Sequence, residues 1–259
     1  ELADRGVGVI QAPIAVAAGV FLVAGPHPNS LRIASEDPDE PGSFLFNTYA
    51  GPLRMRNTLL AKVMINRATG AGGNWFDPQF LADLALPAGS QLAPVQVGLG
   101  PIARSDPGAA NWYLQQFLRT YVPTEWQDSL ALAGAPTDTQ SESWPILNNP
   151  TRAGDVGVAD VIGSWRNASG SGSPIGGTIG VVSPGAATAQ MLLQVPKAAQ
   201  HEADPSAAPP TPLWKVQMLN GAGEWVEPNA ASISAAAQAG AANGASALYG
   251  MSEAVIITT

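Results

Sequence analysis

Pro101-Ile-Ala-Arg-Ser-Asp-Pro-Gly-Ala-Ala-Asn-Trp-Tyr113 carries the best helix start in the chain. Asp106 offers a carboxylate to free amides, and Pro107 sits in the first turn, where a missing N–H costs nothing. Behind it Trp112, Tyr113, Leu114, Phe117, Leu118, Tyr121 and Val122 recur at i, i+3, i+4 spacing, so the run predicts an amphipathic helix opening at Asp106-Pro107.

Working outward, the same device recurs at Asp77-Pro78 ahead of Phe80, Leu81 and Leu84. Met55, Leu59, Leu60, Val63 and Met64 give a further helical face, with Asn57 or Thr58 as its cap. Toward the N-terminus, the stretch from Val7 to Val23 is rich in β-branched residues and broken by Gly and Pro, as strands buried on both faces are. From His27 to Gly42 an acidic, proline-punctuated loop follows; its carboxylates lack the spacing of a calcium-binding EF-hand loop and read as a solvated surface. Downstream, Val158, Val161, Ile162 and Trp165 form a helical face, a Ser/Gly loop from Ser169 to Gly177 leads to the strand Thr178–Val182, and residues 200–212 read as a flexible excursion. Trp214–Leu219 and Glu224–Val226 bracket an Asn220-Gly221 hairpin turn, Asn229 caps an Ala-rich helix, and Ala254–Thr258 is a last strand. Helices and strands mixed in this way predict an α/β protein, and with no fixed-period repeat residues 1–259 read as one piece.

Composition narrows the function. Only 12% of residues are charged, there are three lysines, and the net charge is -8, which argues against nucleic acid as a partner. There is no cysteine, hence no disulfide, thiolate metal site or cysteine nucleophile. The apolar run Ala12–Ala24 contains Pro13 and is shorter than the ~20 residues a membrane-spanning helix needs. No basic stretch followed by an apolar run and a small-residue cleavage site opens the sequence, so a secretion signal is expected to have been removed or to lie outside this segment. His27 and His201 sit in Pro-rich loops without ligand spacing, and no Gly-x-Ser-x-Gly, Gly-x-x-x-x-Gly-Lys or His-Glu-x-x-His motif occurs. The reading is of a non-enzyme, with no metal and no cofactor expected.

A site follows from the chemistry of the first run. A helix beginning at Asp106-Pro107 leaves the amides of Gly108, Ala109 and Ala110 pointing outward, where the helix dipole favours an anion, and small side chains let a ligand approach. Arg104 can bring a bidentate guanidinium to the same place, with Asp106 holding it; Asn111 and Trp112 add an amide and an aromatic wall. The same residues also satisfy a purely packing role, in which Asp106 caps the helix, Arg104 pairs with it and the small residues fit a tight contact.

Several of these segments, in order, resemble the phosphate-binding subunits of bacterial ABC importers. Gly8-Val-Ile-Gln-Ala-Pro-Ile-Ala-Val resembles that family's crossing strand, and Leu59-Leu-Ala-Lys-Val with Asn74-Trp-Phe-Asp-Pro its helix and Trp-x-Asp turn. The run from Pro101 to Tyr113 is similar to the stretch where the family has Arg-x-Asp-x-Ser-Gly-Thr-Thr before an aromatic helix. Trp126, Trp144-Pro145, Gly157-Val-Ala, Gly177-Thr-Ile-Gly-Val-Val and Leu219-Asn-Gly-Ala-Gly-Glu-Trp-Val-Glu-Pro continue the series.

The resemblance implies a periplasmic-binding-protein-like fold, two-lobed with a mixed sheet, and an extracytoplasmic receptor that hands phosphate or another small anion or polar solute to a membrane importer. It implies Arg104, Ser105, Asp106, Gly108, Ala109, Ala110 and Asn111 as the ligand-binding set. Two departures come with it. Nothing before Gly6 corresponds to the family's opening strand, anion loop and ligand-gripping Asp, so an incomplete first lobe is expected, its missing part lying upstream or on a partner chain. Gly108, Ala109 and Ala110 stand where the family has Ser-Gly-Thr; two lost hydroxyl donors to an anion cost about 3–6 kcal/mol, or roughly two to four orders of magnitude in affinity. That leaves open an alternative, a cell-envelope scaffold that keeps the fold without the phosphate site.

Overall fold

A computed structural model describes residues 18–25, 31–65, 77–88, 90–92, 99–136, 143–145, 151–164 and 177–242. The expected strands around Val7–Val16 and Ala254–Thr258, the Ser/Gly loop before Gly177, Trp165, the Asn74-Trp-Phe run and His27 lie outside them.

A mixed five-stranded sheet organises the chain, in the order β6-β5-β7-β1-β8. Strand β1 (Val20–Ala24) is antiparallel to both neighbours, β7 (Thr178–Val182) and β8 (Leu213–Lys215); β5 (Gly100–Arg104) runs parallel to β7 and to the short β6 (Thr151–Arg152). Val-Phe-Leu-Val-Ala in β1 is apolar at every position because both faces of the sheet are covered. On one face Phe21, Val23, Ala103, Ile179 and Val181 meet Leu114, Phe117 and Leu118 of α3 (Ala109–Tyr121). On the other, Val20, Leu22, Ile102 and Val182 meet Val158, Val161 and Ile162 of α5 (Gly154–Gly163) and Ala187 of α6 (Pro184–Ala203). At Gly180 the middle strand has no room for a side chain on that second face: a Cβ there would lie 2.7 Å from Val158 Cγ1.

The apolar cluster under α3 runs on through α1 (Asn57–Met64), α2 (Pro78–Asp83) and α4 (Pro123–Leu132) to Leu31 and Tyr49. These last two flank a three-stranded antiparallel sheet, β3-β2-β4, made of β2 (Arg32–Glu36), β3 (Phe44–Thr48) and β4 (Gln91–Leu92). The acidic loop expected between His27 and Gly42 therefore contains a strand, and its turn closes through Asp37 N–H to Ser43 O. Asp83, buried at the end of α2, accepts from the Arg56 guanidinium and from its backbone N–H at the start of α1.

Local signals hold in part. Asp77 accepts from Gln79 N–H and caps α2; Asn229 accepts from Ala231 and Ser232 N–H and caps α7 (Ala230–Ala242). Around Asn220-Gly221 a hairpin joins β9 (Met218–Leu219) to β10 (Trp225–Val226). Neither Asn57 nor Thr58 caps α1: Asn57 is already inside the helix and its amide donates to Leu219 O. The segment 200–212 opens as helix, since α6 runs to Ala203, and its far end is fixed by Thr211, which is buried and bonded to Gly163 O and Gln194. Among the described residues no helix is long and apolar enough to cross a membrane.

The topology places a cleft. After β5 the chain turns onto one face of the sheet through α3, and after the neighbouring β7 onto the opposite face through α6. Two adjacent parallel strands whose connections diverge leave a crevice outside their carboxyl ends, where open α/β sheets hold ligands.

Candidate functional site

A cavity of about 1360 Å³ occupies that crevice. Arg104 closes β5 and Val182 closes β7, so both strand ends open onto it; Gly19 lies just ahead of the antiparallel β1, and Lys215 ends β8. Three helices begin at its rim: α3 after Gly108, α6 after Ser183, and α7 after Asn229. Each start carries amides without an intrahelical partner and the positive end of a helix dipole. Ser183 and Asn229 each spend a side-chain oxygen on one start, Ser183 accepting from Ala186 N–H.

The helix after β5 does not begin where the sequence predicts. Asp106 caps nothing in α3; Gly108 is the cap residue, in an extended conformation, and the helix opens at Ala109. The carboxylate of Asp106 is taken by more distant partners. It accepts from Nε and Nη2 of Arg104 and from the amide of Gly154, at the start of α5, at 2.6 Å. Gly154 reaches this place with φ +66, a left-handed conformation that glycine adopts without a Cβ penalty. The third Arg104 nitrogen, Nη1, donates to Asp155 at 2.5 Å.

One guanidinium is therefore clamped by two carboxylates. Hydrogen bonds from Arg104 pull the Asp106 carboxyl down to about 2, with the Gly154 amide helping, and the bond to Asp106 raises Arg104 above its ordinary value. The trio carries one net negative charge. Lys215, also at the cavity, donates to Thr188 at 3.0 Å and forms no ion pair with a described carboxylate, so the positive charge free to meet a ligand is an ammonium rather than the guanidinium.

Of the expected set, Arg104, Gly108 and Ala110 line the cavity, joined by Tyr113. Asp106 stands behind Arg104. Ser105 turns away at the backbone, its amide donating to Arg152 O across to β6. Asn111 is buried and works as a latch, its amide donating to Arg104 O and Asp106 O and so fixing the loop between strand and helix. Ala109 is the first residue of α3. Trp112 does not line the cavity and packs edge-on against Tyr113. Sequence reasoning missed Asp155, Ser183, Thr188, Lys215 and Ile233. Ser183-Pro184 directly after a strand carried a usable signal, the cap-then-proline pair; the others had none, because only the topology brings them to one edge.

Ser183 accepts from the first turn of its own helix, His201 is bonded to Ala207 O and does not line the cavity, and among the described residues no group of three His, Cys, Asp or Glu side chains could hold a metal. No family model matches the chain, and no curated protein matches it.

Proposed function

We propose that this chain is a solute-binding domain whose ligand, a small anion or polar solute, occupies the crevice outside the carboxyl ends of β5 and β7. The observation that carries the reading is the cavity at that crevice, rimmed by Arg104, Lys215 and three helix starts. The resemblance to phosphate receptors of ABC importers supports the same edge of the sheet and the same loop. In that picture the protein is extracytoplasmic and two-lobed with an incomplete first lobe, and the bound solute passes to a membrane importer.

Tight phosphate capture is the least supported part. Gly108 and Ala110 offer amides only, and Arg104 meets the ligand already neutralised by Asp106 and Asp155. Thermal melts of the whole chain in phosphate, sulfate and sugar phosphates test the reading. A ligand at one hundred times its dissociation constant adds about 2.7 kcal/mol, which shifts Tm by roughly 5–10 °C in a domain of this size. Flat melts with all of them would remove these ligands from consideration.

One observation favours the scaffold alternative. Phe44, Leu45 and Phe46 form an edge strand exposed on both faces, an unusual place for two phenylalanines and a leucine. A stable partner chain retained through native purification would support that role, and a monodisperse monomer that binds solute would count against it.

A further inference from the structure

We infer that the occupant of the cavity is an amphiphile, an anionic head group carried on an apolar chain or ring system; this rests on the solute-binding reading above and names the ligand class. Size comes first. About 1360 Å³ exceeds the roughly 300–1,000 Å³ of sites for drug-sized ligands, and an inorganic oxyanion, displacing only a few waters of ~30 Å³ each, would leave most of it wet.

The second observation is the pattern of the walls. On α6 the cavity is lined by Gly185, Thr188, Ala189 and Leu192, and on α7 by Ala230, Ile233, Ser234 and Ala237. Both sets fall at the i, i+3, i+4, i+7 spacing of a single helix face. Each stripe therefore extends over two turns, about 10 Å, and Ala189, Leu192, Ala230, Ile233 and Ala237 make it mostly apolar. Leu192 is 64% exposed, a cost in water that a ligand chain lying along α6 would remove.

Charge then fixes the head group. Arg104 is already held by two carboxylates, whereas among the described residues Lys215 has only the Thr188 hydroxyl as its partner and leaves donors free. Thr188, one helical turn from the α6 start, holds the Lys215 ammonium and spends its own proton on Pro184 O, so an anionic group at this place meets the ammonium and the amide of Gly185 in the first turn of α6. The carboxylate of Asp155, at the same cavity, disfavours a second negative charge, which selects a monoanionic head over a dianion.

The test is calorimetric titration of the full chain at pH 5, where a phosphate monoester carries a single charge, with inorganic phosphate, hexyl and octyl phosphate, and octyl glucoside, all below their micelle concentrations. Expected is tightening by about three- to fourfold for each added methylene, with octyl glucoside at least tenfold weaker than octyl phosphate. Leu192→Ser and Ile233→Ser, both at solvent-accessible positions, should flatten the dependence on chain length; Lys215→Gln should close the gap between octyl phosphate and octyl glucoside. Inorganic phosphate binding as tightly as octyl phosphate would overturn the amphiphile and leave the binding cleft standing. Equal affinity for the charged and the sugar head would overturn the anionic group, and silence from every compound would take the solute-binding reading down as well.

Discussion

Replacing Asp106 by Asn probes the clamp on Arg104 while changing almost no volume. In the native protein this carboxylate accepts two bonds from the guanidinium and one from Gly154 N–H. The amide keeps a single acceptor atom and turns two N–H groups toward donors. Bonds to charged groups contribute about 1.5–3 kcal/mol each, but this side chain is 31% exposed and water replaces part of what is lost, so a cost near 2 kcal/mol is expected. Linkage gives a similar figure: moving a carboxyl from 3.8 to about 2 on folding corresponds to ~2 kcal/mol before any allowance for solvent. The sign follows from the direction of that move. A carboxyl depressed in the folded state stabilises fully above its unfolded value and loses the contribution as pH falls through the folded one. Urea midpoints at pH 7, 5 and 3 should thus show the wild-type protein ahead by about 2 kcal/mol at the first two and by roughly half that at pH 3. A gap that stays constant down to pH 3, or no gap at pH 7, would refute the clamp.

Two further perturbations test the scaffold that holds the site. The Arg56–Asp83 pair is asymmetric, the carboxylate buried and the guanidinium 40% exposed, so Arg56→Ala, which strands a buried charge, should cost about 3–5 kcal/mol, and Asp83→Ala less, with both read from denaturant midpoints. A reversed order would mean that the burial does not set the energetics. Gly180→Ala would push a Cβ to 2.7 Å from Val158 Cγ1 and 3.0 Å from Ile102 O, with an expected loss of about 1–3 kcal/mol that Val158→Ala recovers in part; purely additive losses in the double mutant would place the strain elsewhere.

What could be read from sequence was what the chain decides over three or four residues. Asp77 and Asn229 cap their helices by accepting from amides only two or three residues on, and the apolar stripe of α3 buries where its spacing says it must. Asp106-Pro107 looks the same in sequence as Asp77-Pro78 and behaves differently, since an arginine two residues back and an amide 48 residues on outbid the local N–H groups. Helix α6 went unread for the opposite reason. Its buried positions include Ala187, Gln190 and Gln194 rather than a leucine stripe, Pro196 interrupts it, and Leu192, Leu193 and Val195 point outward, so its periodicity carries no core signal. Strand β2 was hidden in an acidic stretch because only Ala34 of its five residues is buried.

That inverted pattern on α6 bears directly on the site. A helix that buries glutamine and displays leucine is stable only if its polar side chains find partners inside, and here Gln194 donates to Gly163 O while accepting from Thr211 N–H. The outward leucines then contribute nothing to the folded monomer, and each exposed apolar side chain forgoes the free energy that burial would give. Leu192 differs from its neighbours in that it faces the cavity beside Thr188, one turn from the ammonium of Lys215. An apolar wall on α6 and, one turn back at Thr188, the ammonium that β8 brings to the same helix fit a ligand that has both characters; a bare oxyanion would engage only the second.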